Sequence, residues 1–348
     1  MLDLSVQVKD TFVVFIKIRG WLGTMQDVTS AFKMYLSTVA QLAASRKRLI
    51  FALFILFTFV VFLSLPSISS MCRNDFSEKW NKGWEAWRKD DPKTALKYWS
   101  ETGISANFCH RPSKIFYWKI RALEKLDMQT EADKLKIELA RKYPFDFYTF
   151  LFFKDGGAEV SNRAYTTKTK SLFYPSPWKK EVSAAAERTG LSKKMIWSVM
   201  RQESKFRQNA VSRSGALGLM QLMPSTAKAE MVALNIKSSN ITLPENNILI
   251  GASYFVRLSR EFKGDMPRAI AAYNAGMMSV IRWDTLSARD WIEWIEEIPY
   301  SETREFVRAV LENQEMYNVL SGEEEYLPLS FLISQRPITV ERIAFVNR

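Results

Sequence analysis

The chain has 348 residues, 47% hydrophobic and 25% charged, with 49 Lys and Arg against 37 Asp and Glu for a net charge of +12. That length suits about two domains, and the apolar share supports packed cores and excludes the disordered class. A single histidine, His110, and two cysteines, Cys72 and Cys109, exclude an HExxH zinc site or a four-ligand Cys/His cluster. Acid–base chemistry then falls to carboxylates, lysines or tyrosines. The positive balance fits either an anionic partner or a solvated basic surface. The cysteines do not fix a compartment, since free thiols and a Cys72–Cys109 bridge suit the sequence equally.

Residues 1–48 precede the first strong signal. The run 49–65, from Leu49 to Leu65, reads LIFALFILFTFVVFLSL, and no charge falls between Arg48 and Arg73. A bilayer core of roughly 30 Å takes about 17–25 such residues, so 49–68 is expected to be a transmembrane helix or signal anchor. Arg46, Lys47 and Arg48 stand before it, which keeps the N-terminus in the cytoplasm and sends the rest of the chain across the membrane. A start at Met34 would make the same run a cleavable export signal, with Ser67, Ser69 and Ser70 near the cleavage point.

From Phe76 the pattern becomes helical. Phe76, Trp80, Trp84 and Trp87 fall at helical spacing, and Asp91-Pro92 restarts a helix through Trp99. A second pair is expected over 113–126 and 130–143, with Ala132, Leu135 and Leu139 on one stripe. Region 75–155 thus reads as helix hairpins of an α-superhelical, tetratricopeptide-like kind, and two such units need a neighbour to pack on. The aromatic stripe suits a core better than a sugar platform. Phe173 to Trp178, with Pro175 and Pro177, reads as a linker.

The segment 192–206 carries the sharpest chemistry. Met195, Ile196, Val199 and Met200 make the stripe of a packed helix, and Glu203 falls on that stripe where an apolar residue is expected. Desolvation and the negative end of a helix both favour a retained proton, as a general acid requires. Position alone leaves Glu203 open between that role and a solvated glutamate at a frayed helix end. No Asp or Glu follows until after Ala229, so no local second carboxylate is on offer. Gly215 and Gly218 permit a tight turn, Leu219 to Pro224 reads as strand-like, and Pro224-Ser225-Thr226 opens another helix. Gln221 would put a neutral donor and acceptor in a groove, suited to an N-acetyl sugar.

Four motifs follow in order: Glu203-Ser204-x-Phe206; Gly215-Ala-x-Gly218-Leu-Met-Gln-x-Met-Pro224; Ala272-Tyr273-Asn274-Ala275-Gly276; and Ile298-Pro299-Tyr300-x-Glu302-Thr303-Arg304-x-x-Val307. Together they resemble the soluble lytic transglycosylases of bacterial cell walls over about residues 175–320. Tyr143 to Tyr148 is similar to the end of that family's α-superhelical region. The resemblance implies a mainly α architecture: a goose-lysozyme-like catalytic domain over 175–320 with a small strand element beside the cleft, preceded by the hairpins and followed by a tail at 321–348. It also implies a lyase reaction. Glu203 would protonate the glycosidic oxygen between N-acetylmuramic acid and N-acetylglucosamine. As a carboxylate it would then take the proton of the muramyl C6 hydroxyl, which closes a 1,6-anhydro ring, so that no second catalytic carboxylate is needed.

By the same resemblance Ser212 contacts the reacting sugar, and Gln221 and Met223 line the groove. Tyr273 with Asn274 orients the acetamido group or the acid, unless Tyr273 is a packed core phenol. Glu302 shapes the cleft or receives a peptide amine, unless it only stabilises a first helical turn. Arg304 is expected to be structural. Neither metal nor cofactor is called for; the expected partners are peptidoglycan glycan strands, the inner membrane and a cell-wall enzyme complex, with no nucleic acid. Met277-Met278 departs from the proline-glycine pair usual in the family after Asn-Ala-Gly. Three rivals remain: a goose-type lysozyme that adds water, a non-catalytic glycan-binding scaffold, and a nucleic-acid binder suggested by charge alone, which lacks any recognisable basic-aromatic motif.

Overall fold

A computed structural model describes residues 68–102, 112–161, 172–237, 240–283, 288–322 and 328–331. It divides into two compact units, Met1–Ser77 and Glu78–Arg348. The apolar run 49–65, the segment before it, Cys109 with His110, and most of the tail 321–348 lie outside the described residues. Among the described residues no helix is long and apolar enough to cross a membrane.

The second unit begins with the hairpins. α1 (Ile68–Arg88) and α2 (Pro92–Ser100) meet at Asp91, whose side chain accepts from the Thr94 N–H while Pro92 takes the first helical position. α3 (Pro112–Lys125) and α4 (Gln129–Lys142) close over Ile120, Leu123, Ala132 and Leu139. The tryptophan stripe is core. Trp99 and Trp118 are fully buried, Trp80 stacks on Trp84 at 5.5 Å, and Trp84 meets Trp118 edge-on at 4.7 Å. Gly83 makes the close crossing of α1 and α2 feasible, since a Cβ there would stand 2.3 Å from Trp99 Nε1. Two short helices, α5 (Phe147–Phe150) and α6 (Ala158–Ser161), end this region.

The remaining helices are α7 (Lys179–Thr189), α8 (Lys193–Ser204), α9 (Pro224–Ala233), α10 (Pro244–Glu261), α11 (Met266–Ala275), α12 (Met277–Trp283), α13 (Trp291–Glu297) and α14 (Ser301–Ser321). α8 packs on α14, α10 on α7, α9 and α11, and α11 on α14. Met195, Ile196, Val199 and Met200 of α8 are buried, as their spacing predicts, with Ile248, Phe255, Ile270 and Val310. The proline-rich stretch before α7 is extended but tethered: Trp197 Nε1 donates to Pro177 O at 2.8 Å and Tyr317 OH to Pro175 O at 2.7 Å.

One expected element is different. Leu219 to Pro224 does not form a strand; among the described residues the only β pairing is the isolated bridges Val211↔Leu217 and Leu217↔Leu222. Leu217 and Leu222 exchange both main-chain hydrogen bonds at 3.0 Å, which makes 218–221 the closing turn of a small loop. The reason is local. Gly218 at φ 80 and Gln221 at φ 44 are left-handed, and an extended run tolerates neither.

Candidate active site

α8 presents Glu203 one residue before its last position. Ser192 caps the helix start by accepting from the Met195 N–H at 3.1 Å, and Lys205 ends it in the left-handed region at φ 50. Phe206 follows at φ 63, so two successive non-glycine residues hold a disfavoured backbone directly after the acid. Glu203 is half-buried. Loss of hydration, and secondarily the negative charge of Glu302, push its carboxyl from 4.5 up to about 8. The carboxyl therefore holds its proton at neutral pH.

Tyr273 and Glu302 are the groups that share this electrostatic neighbourhood. Tyr273, on α11, is buried, and its hydroxyl donates to Met220 O at 2.9 Å. Burial first, and the charge of Glu203 next, raise that phenol well above its ordinary range. It is thus both a packed phenol and a neighbour of the acid, and its hydroxyl fixes the loop that crosses the site. Glu302 is exposed in the first turn of α14. Asn274 accepts from Thr303 Oγ1 at 2.7 Å, which ties the end of α11 to the start of α14 beside Glu302.

Ser212, Gln221 and Met223 lie together on the loop between α8 and α9. Ser212 Oγ accepts from the Ala216 N–H at 2.9 Å and closes the turn around Gly215. Gln221 donates from its amide nitrogen to Ala210 O at 3.0 Å and Gly218 O at 2.9 Å. Its donors hold the loop together, and its carbonyl is the part left to meet a ligand. Met223 is exposed at 41%. Arg304 donates to the carbonyls of Glu296 and Ile298 and thereby braces the turn before α14. Among the described residues no group of three or more His, Cys, Asp or Glu could hold a metal ion.

Two supporting residues escape the sequence argument. Asn247, on α10, is fully buried; its Oδ1 accepts from the Met220 N–H at 2.7 Å and its Nδ2 donates to Leu217 O at 3.1 Å and Ile241 O at 2.8 Å. Gly218 exists to admit it, because a Cβ there would lie 2.4 Å from Asn247 Nδ2. A polar residue directly before Ile248-Leu249-Ile250 is the signal that could have found it. Glu230, on α9, is buried against Arg257 and Ser253, at 2.6 and 3.0 Å. Nothing in its local sequence marks it.

Residues 180–292 match the family described as Transglycosylase SLT domain. The chain is 36% identical over 143 residues to the soluble lytic murein transglycosylase of Salmonella typhimurium, which covers 39% of this chain and 22% of that protein. It is 38% identical over 113 residues to the membrane-bound lytic murein transglycosylase C of Yersinia pestis, covering 29% of this chain and 32% of that one. The chain thus spans a third or less of the length of these curated relatives. In fold it is similar to the lytic transglycosylase Slt from Pseudomonas aeruginosa, with a TM-score of 0.54 at 22% identity over 69% of this chain and 53% of that one. It is also similar to the 70-kDa soluble lytic transglycosylase complexed with bulgecin A, with a TM-score of 0.56 at 17% identity over 92% of this chain and 62% of that one.

Proposed function

We propose that this chain is a lytic transglycosylase that cleaves the β-1,4 bond between N-acetylmuramic acid and N-acetylglucosamine in peptidoglycan and leaves 1,6-anhydro-muramic acid ends. The observation that carries this reading is Glu203, an acid held protonated up to about pH 8 inside a transglycosylase SLT domain. Glu203 gives its proton to the leaving oxygen. The C1 charge that develops is shared with the substrate's own acetamido group, and the ionised Glu203 then accepts the C6 hydroxyl proton as that oxygen closes on C1. Tyr273 and Asn247 hold the loop 217–222 through Met220 on both its carbonyl and its N–H. Ser212, Gln221 and Met223, on the longer loop between α8 and α9, line the sugar path, with Asn274 and Glu302 on its other side. The names of the Salmonella and Yersinia relatives support the substrate class.

The reading includes a place in the cell. The run 49–65 anchors the chain in the inner membrane, and the catalytic domain works in the periplasm on glycan strands, within reach of other wall enzymes. The positive charge of the chain suits acidic stem peptides and lipid groups. A reporter fused after Val160 is then active only outside the cytoplasm, and cytoplasmic activity would overturn the orientation. For the reaction, full-length protein is incubated with purified sacculi and the products are weighed by mass spectrometry. Muropeptides with 1,6-anhydro ends are expected. Products one water heavier, with reducing ends, would make the protein a hydrolase, and a folded protein that releases nothing would be a scaffold.

A further inference from the structure

The turn that carries Glu302 is braced from a direction that the reaction does not require. Glu296, the residue before the last of α13, is buried and receives side chains from three other elements. Lys114 of α3 approaches its Oε2 at 2.6 Å, Arg308 of α14 its Oε1 at 2.9 Å, and the Tyr148 hydroxyl of α5 donates to Oε1. Arg308 Nη1 also donates to Tyr148 OH at 2.7 Å. The main chain of the same residue is held separately, because Arg304 Nη1 donates to Glu296 O at 3.3 Å and to Ile298 O at 2.8 Å. Glu296 is therefore gripped by two hairpin elements through its side chain and by the Glu302 helix through both side chain and carbonyl.

We propose that Glu296 is a positioning residue through which the helical hairpins hold the turn bearing Glu302 at the rim of the Glu203 cleft. Three properties favour a placing role over simple stability. First, burial of a carboxylate and an ammonium is expensive, and an apolar pair would pack as well or better. Second, the pair is stressed: burial, opposed by Glu296, takes Lys114 down to about 8, while its partners outweigh burial and take Glu296 down to about 2. Third, the charges around Lys114, namely Glu296, Arg308 and Arg304, all sit on the two helices that flank the Glu302 turn, with the Trp80 ring 3.5 Å away on the hairpin side. Glu296 is not among the charges that act on Glu203; Glu302 is. Glu302 is thus the charge through which the hairpins can act on the acid.

The test reads the proton of Glu203 directly, so it stands whether or not the protein cleaves glycan. Full-length protein in detergent micelles is labelled with 13C at glutamate carboxyls, and the Glu203 signal is identified by its loss in Glu203→Gln. Glu302→Gln is expected to lower the Glu203 midpoint by on the order of half a pH unit, as removal of a nearby like charge must. Lys114→Met, which leaves Glu296 paired with Arg308 and Tyr148, is expected to lower it in the same direction. Combined with Glu302→Gln, it should add no further shift. The charge-neutral double change Lys114→Met with Glu296→Gln is the second variant, in case the single one does not fold, and is expected to behave alike. A wild-type midpoint in folded Lys114→Met protein would overturn the proposal. An undiminished shift in the Glu302→Gln background would overturn it equally, because Lys114 would then act on Glu203 by another route.

Discussion

At the scale of single residues, the site rests on one carboxyl kept in a costly state. Glu203 titrates near 8 in the folded chain against 4.5 in its ordinary environment, so the folded state binds the proton more tightly across that interval. The linkage has a definite sign. Stability is unaffected well below pH 4.5, falls as pH rises through the interval, and levels off above about 8, the loss at pH 7 being about 1–3 kcal/mol. Glu203→Gln cannot ionise, so it should melt higher than wild type at pH 7–8, with the gain vanishing near pH 4. Equal melting curves at every pH would refute the raised proton affinity. The same substitution should reduce cleavage by about 100- to 10,000-fold while leaving glycan binding intact, as loss of a general acid does. Wild-type cleavage should fall off above about pH 8, where the acid loses its proton. Glu203 was legible in the sequence because a charged residue on an apolar stripe contradicts the period around it. The second cause of its shift was not, since Glu302 lies 99 positions away and reaches it only through the packing of α8 on α14.

At the scale of elements, α8 was legible to within a residue or two at each end. Its cap Ser192, its four-residue apolar stripe and its stop are all local features. The loop behind it was misread as strand-like because Leu219 to Met223 is apolar apart from Gln221, and apolarity alone does not distinguish an extended run from a buried turn. Gly218 held the missing information. Its φ of 80 and its contact with Asn247 are one device, a left-handed turn pressed against a buried amide that satisfies the loop's main chain. Gly218→Ala should therefore suffer twice, from the backbone and from the 2.4 Å approach to Asn247, and lose about 2 kcal/mol or more in thermal unfolding. Tyr273→Phe acts on the other side of the same loop. It leaves Met220 O without its 2.9 Å donor, which should cost about 1–2 kcal/mol and lower kcat more than it raises KM, because the fold survives while the loop shifts. A melting temperature and kcat both equal to wild type would show that the hydroxyl does not hold the loop.

At the scale of the whole unit Glu78–Arg348, the hairpins and helices α7–α14 are joined by polar contacts whose partners are far apart in sequence. Trp87 Nε1 donates to Glu293 at 2.7 Å across 206 positions, and Arg121 Nη2 donates to Asp290 at 2.9 Å across 169. Arg289 reaches back to Asp90 at 3.0 Å. No local pattern announces such pairs; the sequence showed only that two hairpins are too few to stand alone. The acids on and beside α13 explain the dependence. Asp290, Glu293 and Glu296 are all buried, and each takes a partner from the hairpins, so removing the hairpins strips each carboxylate of one of the donors that its burial relies on. Breaking one such buried pair costs about 3–5 kcal/mol, which is a large share of the stability of a domain this size. A chain beginning at Leu172 should therefore unfold at a markedly lower temperature than one beginning at Glu78, and with a broader transition, as followed by near-UV circular dichroism. Arg121→Met in the longer chain should reproduce part of that loss, because it leaves the buried Asp290 without its cationic partner. If the shorter chain melted as sharply and as high as the longer one, the contacts at α13 would be incidental. The hairpins would then be a separate body that happens to touch the domain, and their tryptophan core would have to be explained by something other than support of the cleft.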